Sequence, residues 1–198
     1  RYLGGKSGDV NVYASGINPD QPQATIAACA SNGHTTFKLK IGFGKDKDLS
    51  NLTNIRREFG QDMPLMTDAN QAWTLDEACQ MAPSLAEFGL AWLEEPLRAD
   101  RPLSEWNTLA AACTTPLAAG ENTIGDADFT KMIDHAPMAV IQPDIAKWGG
   151  ISGCWPVIQA IQAKGKRYCP HYLGAGVGLL ASAHLLAAVG GGGLLEID

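Results

Sequence analysis

The stretch Pro64-Leu65-Met66-Thr67-Asp68-Ala69-Asn70 has two later counterparts, Leu90-Ala91-Trp92-Leu93-Glu94-Glu95-Pro96 and Pro116-Leu117-Ala118-Ala119-Gly120-Glu121-Asn122. In each, a short apolar run bounded by turn residues ends on a carboxylate. Asp68 and Glu94 are 26 residues apart, and Glu94 and Glu121 are 27 apart, about one strand–helix–strand repeat. Short apolar runs of this kind read as parallel strands buried on both faces. Carboxylates at the carboxyl ends of such strands point into the mouth of a barrel or sheet crevice, where α/β folds keep their active sites. Three converging carboxylates repel one another unless a hard cation such as Mg²⁺ lies between them. Asp68, Glu94 and Glu121 are therefore expected to be metal ligands.

The same beat runs along the whole chain. Extended segments are expected at Asp9–Ile17, Thr35–Ile41, Pro64–Thr67, Ala91–Leu93, Pro116–Ala119, Ala139–Gln142, Arg167–Pro170 and Gly193–Glu196. Helix-period segments separate them at Leu49–Glu58, Thr74–Phe88, Leu103–Ala112, Ala127–His135, Ile151–Lys164 and Leu179–Ala188. Thr74 followed by Glu77 has the form of a capping box. Eight strands alternating with helices predict an α/β (β/α)8-type TIM barrel, roughly (β/α)7β8 here, in one domain over residues 1–198. Such a barrel usually takes about 250 residues, so the 198-residue chain reads as the barrel portion of a longer protein.

Composition narrows the partners. With a formal net charge of −6, the chain lacks the clustered basic footprint of a nucleic-acid binder. Its longest apolar candidate, Leu179–Val189, is interrupted by His184 and too short to span a membrane. The 5 cysteines form no Cys-x-x-Cys pair and read as reduced structural thiols of a cytoplasmic protein.

Chemistry is written at the strand ends. Lys38 and Lys40, two apart on the second strand, face one side. Facing inward, two desolvated ammonium groups would weaken each other's hold on a proton and make one a base; facing outward, they would merely snorkel. The sixth strand ends at Asp144 and the seventh at His171, 27 residues later. That places the pair as a dyad in which the Asp fixes the His tautomer. Glu196 closes the eighth strand. Buried among carboxylates it would hold its proton and donate a hydrogen bond to substrate; otherwise it simply pairs with a lysine of the site. Asn70, Asn122 and Lys147 are candidates for supporting or substrate contacts. Glu95 adjoins Glu94, but strand alternation lets only one of them face inward, and the spacing from Asp68 favours Glu94.

The ordered set Lys-x-Lys, Asp-x-Asn, Glu-Glu-Pro, Gly-Glu-Asn, Pro-Asp-x-x-Lys-x-Gly-Gly and a late Pro-His resembles the enolase superfamily, specifically its mandelate racemase subgroup. The resemblance runs from Lys38 to Glu196. It implies Mg²⁺ on Asp68, Glu94 and Glu121, with Lys40 a base on one face of the substrate and Lys38 at the substrate carboxylate. It also implies His171, backed by Asp144, on the opposite face, and Glu196 as an electrophilic hydrogen-bond donor. The muconate-cycloisomerase and dipeptide-epimerase branches carry a lysine on the sixth strand, against which Asp144 argues. The implied chemistry is abstraction of the α-proton of a small carboxylate, leading to dehydration of an acid sugar or hydroxy acid, or to racemisation or epimerisation. An amino-terminal capping domain and a homo-oligomeric assembly are further expectations of the family. The competing reading is a non-catalytic barrel that keeps the scaffold as a binding or assembly module.

Overall fold

The computed structural model describes residues 3–5, 8–172 and 176–198. Among these residues eight strands alternate with seven helices. They are β1 (Val12–Ile17), α1 (Pro22–Ser31), β2 (Phe37–Lys40), α2 (Lys45–Phe59), β3 (Leu65–Asp68), α3 (Leu75–Ala86), β4 (Leu93–Glu94) and α4 (Leu103–Ala112). There follow β5 (Leu117–Ala119), α5 (Asp126–His135), β6 (Met138–Ile141), α6 (Gly150–Ala163), β7 (Arg167–Tyr168), α7 (Val177–Val189) and β8 (Leu195–Ile197). The pairings of β1 with β2, β2 with β3, β3 with β4, and β6 with β7 are parallel. The fold is thus of the parallel eight-stranded α/β kind, and each of the eight extended segments expected from the sequence overlaps a strand. No helix of the described residues is long and apolar enough to cross a membrane.

The chain divides into two compact units, Tyr13–Leu117 and the combination of Arg1–Val12 with Ala118–Asp198. In the first, the strands lie in the order β4-β3-β2-β1. β3 is buried along its whole length, as a parallel strand covered on both faces must be. The ladder sets Lys40 opposite Asp68, and Asp68 opposite Glu94. Asp68 and Glu94 are the last residues of their strands rather than the first residues beyond them. Helix α3 starts at Thr74 with the reciprocal capping box foreseen from Thr74 and Glu77.

Two buried charges tie helices to loops in this unit. Asp48 accepts hydrogen bonds from the backbone N–H groups of Gly42 (2.9 Å) and Phe43 (3.3 Å). The Arg56 guanidinium donates to the carbonyls of Phe88, Gly60, Met63 and Gly89 at 2.8, 3.1, 2.6 and 3.2 Å. One structural element escaped the sequence reading: α1 fills the gap between β1 and β2. Only Pro22 and Ile26 of its ten residues are buried, so it carries almost no apolar period, the signal on which helices were sought. Pro22 at its first turn was the available cue. Helix α2 likewise begins at Lys45, four residues before the apolar Leu49.

In the second unit the order is β7-β6-β5, and β8 is joined to the amino-terminal segment by the Leu195 N–H donating to the Asn11 carbonyl at 2.8 Å. Gly120, just before Glu121, has φ 140°, and a Cβ there would lie 2.7 Å from the Gln142 nitrogen. Only glycine lets the β5 end pass the β6 backbone so closely. The expected seventh strand, Arg167–Pro170, is shortened to Arg167–Tyr168: Cys169 still donates to the Ile141 carbonyl at 3.3 Å, but Pro170 has no N–H to continue the ladder.

Candidate active site

In the unit Tyr13–Leu117, four charged side chains gather at the ends of β2, β3 and β4. Lys38 Nζ lies 2.6 Å from Glu94 Oε1 and 3.7 Å from Asp68 Oδ2, and Lys40 Nζ lies 2.6 Å from Asp68 Oδ2. Lys38 and both carboxylates are buried, so both lysines face inward and the snorkelling alternative is set aside. Each ammonium is met by a carboxylate, an opposing charge that the argument from paired lysines alone did not include. The Asn70 backbone N–H donates to Asp68 Oδ1 at 2.8 Å, the contact recorded for that candidate.

Two aromatic residues complete this cluster. The Trp92 indole N–H donates to Glu94 Oε2 at 2.9 Å. Lys38 Nζ lies 3.5 Å from the Tyr13 hydroxyl, and the Tyr13 and Trp92 rings meet edge to face at 5.5 Å between centroids. Neither was singled out from the sequence. Trp92 could have been, since it stands two residues before Glu94 and shares its strand face. The loops beyond β3 and β4 are held in uncommon backbone: Asn70, Gln71 and Glu95 have φ of 45, 62 and 38°. Such positive values in non-glycine residues cluster where function constrains the chain. The Gln71 N–H donates to the Glu95 carbonyl at 2.7 Å, and Glu95 itself is buried.

The other unit holds the histidine. Asp144 Oδ2 lies 2.8 Å from His171 Nδ1. Asp144 Oδ1 accepts from the N–H groups of Ala146 (2.7 Å) and Lys147 (3.3 Å), which fixes the carboxylate plane. On the opposite side of the ring, Nε2 lies 2.9 Å from Glu121 Oε2 and 3.8 Å from Glu196 Oε2. Lys147 Nζ reaches Glu121 Oε1 at 3.1 Å and Asn122 Oδ1 at 3.3 Å, while Asn122 Nδ2 donates to Glu121 Oε1 at 3.3 Å. Glu196 is buried, with its carboxylate near the His171 ring.

Burial and charge pull these groups in opposite directions. Burial alone would lower the His171 pKa, but hydrogen bonds to Asp144 and Glu121, with the charges of Glu121 and Glu196, push it up to about 9. Burial likewise would raise Glu121, yet His171 and Lys147 bring it down to about 2. Asp144 is lowered in the same way, its burial outweighed by His171 and the Ala146 N–H. The raised pKa favours the imidazolium, which can donate from both nitrogens.

Among the described residues, no three His, Cys, Asp or Glu side chains gather closely enough to hold a metal ion. The donor chemistry of the Asp68–Glu94 pair nevertheless suits a hard cation. Both side chains are buried carboxylates at in-register strand ends, and one ammonium, Lys38, already places positive charge within 3.7 Å of both. Mg²⁺ favours carboxylate oxygens, so the residues present fit it.

Several known proteins resemble this chain. Residues 23–198 match the family described as enolase C-terminal domain-like. The structure superposes on a mandelate racemase/muconate lactonizing enzyme from Bordetella bronchiseptica RB50 with TM-score 0.97 and 54% identity, covering 100% of this chain and 55% of that one. L-talarate/galactarate dehydratase from Salmonella typhimurium LT2, liganded with Mg and L-lyxarohydroxamate, gives TM-score 0.90 at 30% identity, covering 100% of this chain and 50% of that one. In sequence, D-galactarolactone cycloisomerase of Agrobacterium fabrum is 31% identical over 195 residues, 94% of this chain and 51% of the relative. The chain thus spans about half the length of the relatives it matches.

Proposed function

Because the chain belongs to the enolase C-terminal domain-like family, we propose that it is the barrel portion of a Mg²⁺-dependent enzyme that removes the α-proton of a small carboxylate. Dehydration of an acid sugar is the favoured outcome, with racemisation or epimerisation of the same substrate class as the variant. On this reading residues 1–198 form one (β/α)8-type barrel domain of a cytoplasmic homo-oligomer. The observation that carries it is the pairing at the strand ends: Lys40 with Asp68 at 2.6 Å, and His171 with Asp144 at 2.8 Å.

Asp68, Glu94 and Glu121 would hold Mg²⁺, which would supply several kcal/mol of stabilisation to the second negative charge that develops as the α-carbon loses its proton. Lys40 Nζ, as the neutral amine, takes that proton and becomes an ammonium, positioned by the Asp68 contact. Lys38 neutralises the substrate carboxylate from the base of the cluster. His171 works from the other face through Nε2, because Asp144 occupies Nδ1 and sets the ring's orientation. Its raised pKa makes it a proton donor. In dehydration the proton goes to the β-hydroxyl, the C–O bond breaks as water leaves, and the resulting enol tautomerises to a 2-keto acid. In racemisation His171 instead delivers its own proton to the α-carbon on the second face, while the abstracted proton stays on Lys40. Glu196, when protonated, donates a hydrogen bond to a substrate carboxylate oxygen. Asn70, Asn122 and Lys147 support the carboxylates they touch.

The relatives named above are enzymes by name, which leaves the non-catalytic alternative without support. Incubation of the intact protein with Mg²⁺ and a panel of acid sugars in D₂O tests the proposal. A 2-keto acid, or α-deuterium in recovered substrate or its epimer, is the expected result. Neither product across the panel would overturn it.

A further inference from the structure

Glu94 is held by a charge on one oxygen and by a neutral donor on the other. Lys38 Nζ donates to Oε1 at 2.6 Å, while the Trp92 indole N–H donates to Oε2 at 2.9 Å. Trp92, Tyr13, Lys38 and Glu94 are all essentially sealed from solvent. Trp92 also turns its ring edge-on to Tyr13, with an interplanar angle of 86°, and the Tyr13 hydroxyl lies 3.5 Å from Lys38 Nζ. The four side chains therefore close a ring: Trp92 to Glu94, Glu94 to Lys38, Lys38 to Tyr13, and Tyr13 back to Trp92.

From this ring we infer that Trp92 is a positioning residue for Glu94, its indole N–H fixing Oε2 and with it the orientation of the carboxylate toward a cation, with Tyr13 bracing Lys38 and the indole. The physical reasons are specific. An indole N–H is a donor only, so it holds a carboxylate in its ionised form and cannot compete for the metal. A carboxylate whose oxygen is held by a fixed donor loses the freedom to rotate about its last torsion, so its orientation is set before a cation arrives. A buried Trp could also have been mere filling. In that case the Nε1–H would need a partner, but a backbone carbonyl would serve, and a proposed ligand would not be chosen.

The inference rests on the functional reading above, in which Glu94 binds Mg²⁺. The test is calorimetric titration of Mg²⁺ into the intact, substrate-free protein and into Trp92→Phe, which keeps an aromatic ring but removes the donor. Loss of such a supporting hydrogen bond typically weakens metal affinity about 10–100-fold, and that is the change expected, beside a loss of stability that the unfolding midpoint in EDTA reads separately. Tyr13→Phe, which keeps the ring edge and removes only the hydroxyl, is expected to weaken Mg²⁺ less. If the parent binds Mg²⁺ and Trp92→Phe binds it equally well, the positioning role is wrong while the functional reading stands. If the parent binds no Mg²⁺, both fall together. Should Trp92→Phe fail to fold, the parent's Trp92 indole N–H resonance, assigned by ¹H–¹⁵N correlation, decides the matter. A shift on adding Mg²⁺ supports the role, and an unmoved signal refutes it.

Discussion

His171 is clasped between two carboxylates, with Nδ1 2.8 Å from Asp144 and Nε2 2.9 Å from Glu121. The first contact orients the ring, and the second keeps the proton on the nitrogen that would face substrate. Asp144→Asn preserves the size of the side chain but can donate to Nδ1, which favours the wrong tautomer. Turnover is expected to fall by about 10²–10⁴-fold, by analogy with the orienting Asp of other histidine dyads, while the unfolding midpoint moves little. A loss of activity matched by loss of folded protein would assign Asp144 to stability alone.

The same clasp makes stability depend on pH in the metal-free protein. His171 has a folded-state pKa raised to about 9, above its unfolded value of about 6.5. Its contribution is therefore fully present below about pH 6.5 and is lost as pH rises toward 9. Glu121, lowered to about 2, contributes above its unfolded value of about 4.3 and loses that contribution as pH falls toward 2. Chemical denaturation of the EDTA-treated protein at several pH values should show declining stability between about pH 6.5 and 9. In His171→Asn that alkaline decline should be much reduced; an unchanged slope would mean the imidazolium is not the group responsible.

Arg56 should prove to be a stability residue with no part in chemistry. Its guanidinium satisfies four backbone carbonyls around the ends of α2 and α3. Arg56→Ala leaves those acceptors to water or to nothing and should cost about 3 kcal/mol in urea denaturation. Thr74→Ala removes one capping box and should cost about 1 kcal/mol. A reversed order of the two would contradict the burial argument.

Thiol chemistry offers a further check. Cys113, Cys154 and Cys169 are buried, whereas Cys29 and Cys79 are partly exposed. Burial pushes the Cys154 thiol up to about 11 and raises Cys113 as well, so neither supplies thiolate at neutral pH. Alkylation of the native protein should label Cys29 and Cys79 and spare the other three until denaturant is added. Rapid native labelling of Cys154 would mean that the packing of α6 has been misjudged.

Much of this was legible before any coordinates. The strand ends could be read because buried parallel strands are continuous apolar runs and the chemistry follows directly on them, as at Asp68, Glu94 and Glu121. Asp144 and His171 were recognisable as a pair because the repeat brings residues 27 apart to equivalent places on neighbouring strands. Helix α1 was illegible because its Ala-rich surface buries only two side chains, leaving no period to detect. The left-handed turns at Asn70, Gln71 and Glu95 escaped because local propensity does not demand them; the packing of the two loops against each other does. The sequence alone does not distinguish the roles of Trp92 and Tyr13 from those of ordinary core aromatics, since a hydrogen bond from a buried indole is a tertiary fact.

The central claim is that two different groups handle protons on two faces of the substrate. The direct test follows α-proton exchange in D₂O, by NMR, for both epimers of an accepted acid sugar, using Lys40→Ala and His171→Asn in the intact protein with Mg²⁺. His171→Asn is expected to lose overall turnover yet still exchange the α-proton of the epimer presented to Lys40. Lys40→Ala is expected to lose exchange of that same epimer. If His171→Asn keeps full turnover, or Lys40→Ala keeps exchanging that epimer at the parent rate, the division of labour between Lys40 and His171 is wrong.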